Sequence, residues 1–311
     1  MKKTALVTGG TAKDAPAIAA LILNIKQINN KLIDDIIVFH DGISESDQII
    51  MNKILPVNFK YYKYPGNTDN FTDGLKDYFS TMIFCKYECF NLLNEYKTVI
   101  WTDYDVVINN DINELLISVQ SGFRMMLDIQ HKDIRTMFTK EIDNVIINNN
   151  LDVPALCTPL FVFFDNIINY NEYYNYCLKQ TDKYAPYLYL PEQCIFNLLI
   201  QDYNIQYENI DYQTYCANPL HVKITESTKI IHAYGQPKFW NGLHNSIWEN
   251  NYKTWIKMGG SKYYHKKLSY KLKIFLFNNI RMLLKILLPK KLYLSLKFVL
   301  FPEKKKKLII S

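Results

Sequence analysis

The chain has 311 residues, 49% of them hydrophobic, with 10 glycines and 11 prolines, so it can bury a large core and is neither fibrous nor low in complexity. Its net charge of +6 hides an asymmetry: from Lys262 onward there are 14 Lys and Arg against one acid, Glu303, which leaves 22 bases and 29 acids in the rest. An acidic body of that kind gives no sign of a nucleic-acid groove, and the basic tail needs its own explanation. The six cysteines, Cys85, Cys89, Cys157, Cys177, Cys194 and Cys216, form no CxxC pair and no zinc spacing with histidine. The opening MKKTALVTGG is too short in apolar residues for a secretory leader, so the expected compartment is reducing and cytoplasmic.

In chain order, TALVTGG (4–10) reads as a short buried strand ending in a tight loop, and a helix is expected from near Asp14, with Pro16 in its first turn. IIVFHDG (36–42) is a second strand, residues 45–55 a helix, and NFKYYKY (58–64) a third strand. Helical spacing covers 73–95, and the apolar strand KTVIWTDYD follows. FRMMLD (123–128) and TPLFVFF (158–164) are further strands, LPEQCIFNLLI (190–200) a helix, and STKIIHAYGQPKFW (227–240) a strand running into a Gly/Pro loop. Strands alternating with helices, with continuous apolar runs in the strands, predict an α/β domain with a mostly parallel central sheet. The composition changes near Gly259-Gly260, which divides the chain into a body at 1–258 and a tail at 259–311.

The tail carries two predicted helical pieces split by Pro289, with Lys267, Lys271, Asn278, Arg281 and Lys285 in one stripe broken by Ile274. Most other positions are Leu, Ile, Phe, Met or Tyr, a basic amphipathic pattern that suits an anionic membrane surface. No window holds 18 uncharged apolar residues, so the expected attachment is peripheral. The alternative is a helix packed on the protein's own body or in a dimer.

Two motifs carry the chemistry. Asp103 and Asp105 close an apolar strand, and side chains two apart on a strand share a face. Carboxylates about 4 Å apart repel by roughly 4 kcal/mol at an effective dielectric near 20, and a divalent cation reverses that sign. Oxygen ligands suit Mg²⁺ or Mn²⁺, and the carboxyl end of a strand is where open α/β sheets bind ligands. The second motif is HAYGQPKFW, in which His232 offers a metal ligand, Gly235 a close backbone approach and Lys238 a compact charge for a phosphate. Taken singly, each has a plainer reading, as capped or solvated aspartates, a core histidine and a turn lysine.

Taken together, TDYD and HAYGQPKFW resemble the D-x-D and HxxGxxKPW of glycosyltransferase family 8, with Phe239 where the family has Pro. The resemblance covers roughly Thr4 to Trp240 and implies a GT-A type, Rossmann-like nucleotide-binding domain and retaining transfer from a nucleotide-diphosphate sugar. It implies that Asp103, Asp105 and His232 hold Mn²⁺ or Mg²⁺. Thr8, Gly9, Gly10, Lys86, Tyr104, Gly235 and Lys238 fall in the donor-binding set, and Gln193 or Glu192 near the reacting sugar. Departures are visible: Lys86 stands where the family commonly has Arg, Glu192 where it has Asp, and CTPLFVFF, with Pro159, where it has N-[SA]-G. The loop VTGGTAKDA also lacks the family's base-stacking aromatic. The expected donor is UDP-glucose or UDP-galactose, and the expected acceptor a glycolipid such as lipopolysaccharide or lipooligosaccharide core at the inner face of a bacterial membrane. Two alternatives remain at this level: a sugar nucleotidyltransferase, and a non-catalytic carbohydrate-binding protein derived from a transferase.

Overall fold

In the computed structural model, the structure describes residues 3–28, 33–146 and 148–263. The helices expected in the basic tail fall at 264–311, outside the described residues.

Among the described residues the strands are β1 (Lys3–Gly10), β2 (Asp35–His40), β3 (Val57–Tyr61), β4 (Tyr96–Thr102), β5 (Val106–Ile108), β6 (Phe123–Leu127), β7 (Leu156–Phe164), β8 (Glu208–Ile210) and β9 (Ile230–His232). Seven of them form one sheet in the order β3-β2-β1-β4-β7-β6-β8, parallel except for β7, which runs against both β4 and β6. Alternate residues feed two cores: Ala5, Val7, Ile37 and Phe39 face one, Leu6, Ile36 and Val38 the other. Burial on both faces is why these strands are continuous apolar runs rather than alternating ones. β5 and β9 form a separate antiparallel pair, with a third small core around Val107, Ile231, Phe239 and Trp248.

Four expectations are corrected. The helix expected over 73–95 is three pieces, Asp73–Tyr78, a 3₁₀ stretch Thr81–Tyr87, and Glu88–Leu92. Ser80 breaks it: its φ is 61°, and its hydroxyl accepts the Met82 N–H at 3.2 Å and so starts a new turn. The strand expected over 58–64 is Val57–Tyr61, and the strand expected to start at 227 begins only at Ile230, as β9, before running into the expected Gly/Pro loop, where Gly235 turns the chain at φ +70°. Finally, strand geometry does not persist to Asp105. β4 stops at Thr102, and Asp103–Asp105 form a bend before β5. Pro159 explains the stop. Its carbonyl accepts the Asp103 N–H at 2.9 Å, but proline has no N–H to return the second bond of that rung. The Thr102 hydroxyl reaches the Asp103 carbonyl instead, at 3.3 Å.

Two buried asparagines hold strands beside this bend. Asn24, on the helix Ala15–Ile28, donates to the Ile108 carbonyl at 3.0 Å and accepts the Ile108 N–H at 2.7 Å. Asn197, on the helix Pro191–Asp202, does the same for Leu156, with both bonds at 2.8 Å. Each side-chain amide thus stands in for a neighbouring strand. Replacing Asn24 by Leu should leave two buried backbone groups unpaired and lower stability by about 2–4 kcal/mol, read as a drop in the urea midpoint at unchanged slope.

Candidate active site

The site is assembled where the bend after β4 meets the end of β9. The β5–β9 register sets Val106 opposite His232, and the Ala233 N–H donates to the Asp105 carbonyl at 2.9 Å. That pairing brings together side chains 127 positions apart: His232 Nε2 lies 3.0 Å from Asp105 Oδ1 and 3.8 Å from Asp103 Oδ2. One ligand atom from each of Asp103, Asp105 and His232 lies within 4.8 Å of the others. On its other side the imidazole meets the Cys216 sulfur, 3.2 Å from Nδ1, which fixes the ring so that Nε2 points to the carboxylates.

The charges are balanced pair by pair. Lys238 Nζ bonds Asp105 Oδ2. Burial pushes the Asp105 carboxyl up, but His232 and Lys238 outweigh it and hold the group well below the usual carboxylate range. Burial alone would lower His232; the Asp105 charge outweighs it and pushes the imidazole up to about 10. Asp103 Oδ1 accepts from the Trp101 indole N–H at 3.0 Å and lies 3.1 Å from Lys86 Nζ, which leaves Oδ2 facing the imidazole.

Lys86 comes from the 3₁₀ stretch and is 2% exposed, against Glu192 at 2.8 Å. Burial opposes its charge, but Asp103 and Glu192 outweigh that and raise it above the ordinary lysine value. Glu192 and Gln193 sit in the first turn of the helix Pro191–Asp202, where the helix dipole favours a carboxylate. Glu192 Oε2, Gln193 Oε1 and the Thr8 hydroxyl are buried atoms without a hydrogen-bond partner among the described residues. Buried polar atoms are rarely left so, and Glu192 Oε2 belongs to the carboxylate that Lys86 ties to Asp103.

The first loop approaches from β1. A methyl on Gly9 would stand 2.5 Å from Cys85 Sγ, and one on Gly10 would stand 3.0 Å from both Tyr104 Cε1 and Asp14 Cβ. The two glycines therefore make room for the protein's own side chains. Asp14 caps this loop, accepting the Thr11 N–H at 2.9 Å and the Thr11 hydroxyl at 2.8 Å, and it also takes a bond from Tyr104. Burial pushes its carboxyl up in spite of these bonds. The Tyr104 ring stacks against Trp240 at 6.2 Å. Gly235 differs from Gly9 and Gly10: no described atom lies within 4 Å of where its Cβ would be, so its backbone conformation requires glycine and the space beside it stays open.

The residues fit a divalent cation by donor chemistry, two carboxylate oxygens and one imidazole nitrogen converging at the end of a strand. A family model described as glycosyl transferase family 8 matches residues 7–244. The chain belongs to glycosyltransferase family 8. No curated protein sequence matches it. Among solved structures, the bifunctional glycosyltransferase WbbM in its apo form is similar with a TM-score of 0.61 and 15% identity over 83% of this chain. This chain spans about half of that protein, 51% of its length. The galactosyltransferase LgtC, in complex with donor and acceptor sugar analogues, has a TM-score of 0.58 and 11% identity, over 86% of this chain and 99% of its own. GlyE of Streptococcus pneumoniae TIGR4 has a TM-score of 0.53 and 14% identity, over 90% of this chain and 64% of its own. At these identities the likeness establishes a shared GT-A fold.

Within this family 8 fold, Thr158, Asp14, Cys216 and Trp101 are site neighbours that the motifs did not single out. Asp14 was visible only as a helix start, and Thr158 only as the neighbour of Pro159. Asp128, which closes the segment FRMMLD, spends its carboxylate on the Gln130 N–H at 2.7 Å and His131 Nδ1 at 2.8 Å. A methyl on Gly9 would meet the Phe39 carbonyl oxygen at 3.2 Å as well as the Cys85 sulfur, so Gly9→Ala should destabilise by about 1–3 kcal/mol, and adding Cys85→Ala should recover part of that loss in thermal denaturation.

Proposed function

We propose that this family 8 protein is a retaining, metal-dependent glycosyltransferase. It takes a hexose from a nucleotide-diphosphate sugar, UDP-glucose or UDP-galactose, and attaches it to a lipid-linked glycan such as a lipopolysaccharide or lipooligosaccharide core. The observation that carries this reading is the convergence of Asp103, Asp105 and His232 beside Lys238. The galactosyltransferase LgtC, seen with donor and acceptor sugar analogues, supports a sugar donor and a glycan acceptor for the same fold.

In the reaction, the bond from the anomeric carbon to the leaving diphosphate breaks, the acceptor hydroxyl oxygen joins the same face of the sugar, and the hydroxyl proton is taken up by the departing nucleoside diphosphate. Asp103, Asp105 and His232 would hold a divalent cation, which would supply Lewis-acid stabilisation of the leaving group. Lys238 adds a point charge at the same place, through an ammonium that Asp105 positions. The Gln193 carbonyl and Glu192 Oε2 are buried acceptors without partners among the described residues, so they suit hydroxyl groups of the transferred sugar. Glu192 Oε1 is occupied by Lys86 and by the Thr158 hydroxyl, so only Oε2 is available for any direct role at the reacting face.

The test is hydrolysis of a panel of nucleotide sugars with Mn²⁺ and with a chelator. Turnover should appear with one uridine donor, fall to background on chelation, and drop by about 10²–10³-fold in Asp105→Asn. Unchanged turnover under the chelator sinks the metal role, and a fully active Asp105→Asn sinks the assignment of that residue.

The tail at 259–311 completes the proposal as a peripheral anchor on the inner face of the bacterial membrane. The family match stops at residue 244, upstream of it. Among the described residues no helix is long and apolar enough to cross a membrane. The body is acidic, so attraction to an anionic surface comes from the tail's 14 basic residues, at about 1 kcal/mol for each one engaged. The full-length protein should sediment with phosphatidylserine-containing vesicles at low salt and be released at high salt; protein left in solution at low salt refutes the anchor.

A further inference from the structure

Three places where the chain departs from its family's pattern lie far apart in sequence: Lys86, Glu192 and the strand segment holding Thr158 and Pro159. The structure puts all three around one ammonium group. Lys86 Nζ lies 2.8 Å from Glu192 Oε1, 3.0 Å from the Thr158 carbonyl and 3.1 Å from Asp103 Oδ1. The Thr158 hydroxyl closes the ring by donating to Glu192 Oε1 at 2.7 Å. Lys86, Thr158 and Glu192 are at most 2% exposed, and Pro159, next along, accepts the Asp103 N–H.

An ammonium has three protons, and here its hydrogen bonds go to Glu192 and Thr158 while the Asp103 carboxylate is its ion-pair partner. An arginine at this position would carry five donors on a wider fork. Lysine is the shorter cation, and glutamate is longer than aspartate by one methylene. The two departures are opposite in length, and they touch.

We propose that Lys86, Glu192 and Thr158 are a length-matched positioning unit that ties the metal-ligand carboxylate of Asp103 to the sugar-side turn of the helix Pro191–Asp202. Lys86 holds Asp103 Oδ1, so that Oδ2 faces His232, and it holds Glu192 Oε1, so that Oε2 is the carboxylate oxygen left for a ligand. Its close partners are all groups of the protein, and it is 2% exposed. The role of Lys86 is therefore to set the spacing between two acidic groups, and its exchange for arginine is not conservative unless Glu192 shortens with it. This inference rests on the reading of Asp103 as a metal ligand.

The test uses the full chain with Lys86→Arg, Glu192→Asp, the double variant and Lys86→Met. Mn²⁺ affinity is measured from the electron paramagnetic resonance of free Mn²⁺, alongside urea midpoints and donor-sugar hydrolysis. Lys86→Arg and Lys86→Met should weaken Mn²⁺ binding by about 10-fold or more, and Glu192→Asp should lower kcat. The double variant should return to within about threefold of wild type in both. Losses that simply multiply in the double variant overturn the proposal, as does wild-type Mn²⁺ affinity in Lys86→Met. If Lys86→Met does not fold, the conservative pair decides alone. A wild-type protein that neither binds Mn²⁺ nor turns over a donor overturns the transferase reading. The urea midpoints then decide this pairing: recovery in the double variant supports it and addition of the two losses refutes it.

Discussion

Three carboxylates, from Asp103, Asp105 and Glu192, are drawn into one poorly hydrated corner of the fold, and their mutual repulsion is the constraint that the surrounding structure answers. At an effective dielectric near 20, each pair about 4 Å apart would repel by roughly 4 kcal/mol. The answer is local and specific. Lys86 lies between Asp103 and Glu192, while Lys238 and a proton-loving His232 flank Asp105. Removing one partner from such a set leaves a buried charge uncompensated, which destabilises far more than losing a surface pair. The acidic cluster is therefore tolerated only as a complete arrangement.

The fold supplies the rigidity that this balance needs. Asp103 leaves the sheet where Pro159 denies it the second half of a ladder rung, and Asp105 is picked up again by β5 pairing with β9. On either side, Asn24 and Asn197 bind both backbone groups of one strand residue, so neither strand end is free to slide. Gly9 and Gly10 let the first loop close onto Cys85 and Tyr104, which seats β1 directly beside the acidic bend. These contacts are polar or steric and short in range, so they specify a geometry more than they add to bulk stability.

The sequence was most readable where periodicity or a motif speaks for itself. β1, β2, β4, β6 and β7 follow from apolar runs bounded by turn residues, and the two motifs pointed to Asp103, Asp105, His232, Gly235 and Lys238. It was least readable where a few residues depend on a distant partner. β5 and β8 are three residues long and carry no alternation of their own; they exist because β9 and β6 lie alongside. The broken helix before β4 turns on Ser80, whose positive φ no propensity scale anticipates. Departures from the family pattern, each a doubt when read singly, are seen in the fold to be neighbours.

By itself the sequence determined the α/β class, the family, the identity of the acidic pair and its histidine, and the charge contrast between body and tail. Each is written in composition, in local period or in short spacing, which the chain carries before it folds. Only the tertiary structure decided that the aspartates meet through a bend instead of along a strand, that Lys86 is committed to Glu192 and Thr158, and that Glu192 Oε2 and Gln193 Oε1 have no partner among the described residues. Those facts depend on distances between segments up to 106 positions apart, and such distances are set by how the sheets and helices pack, a sum over the whole core that no local pattern encodes.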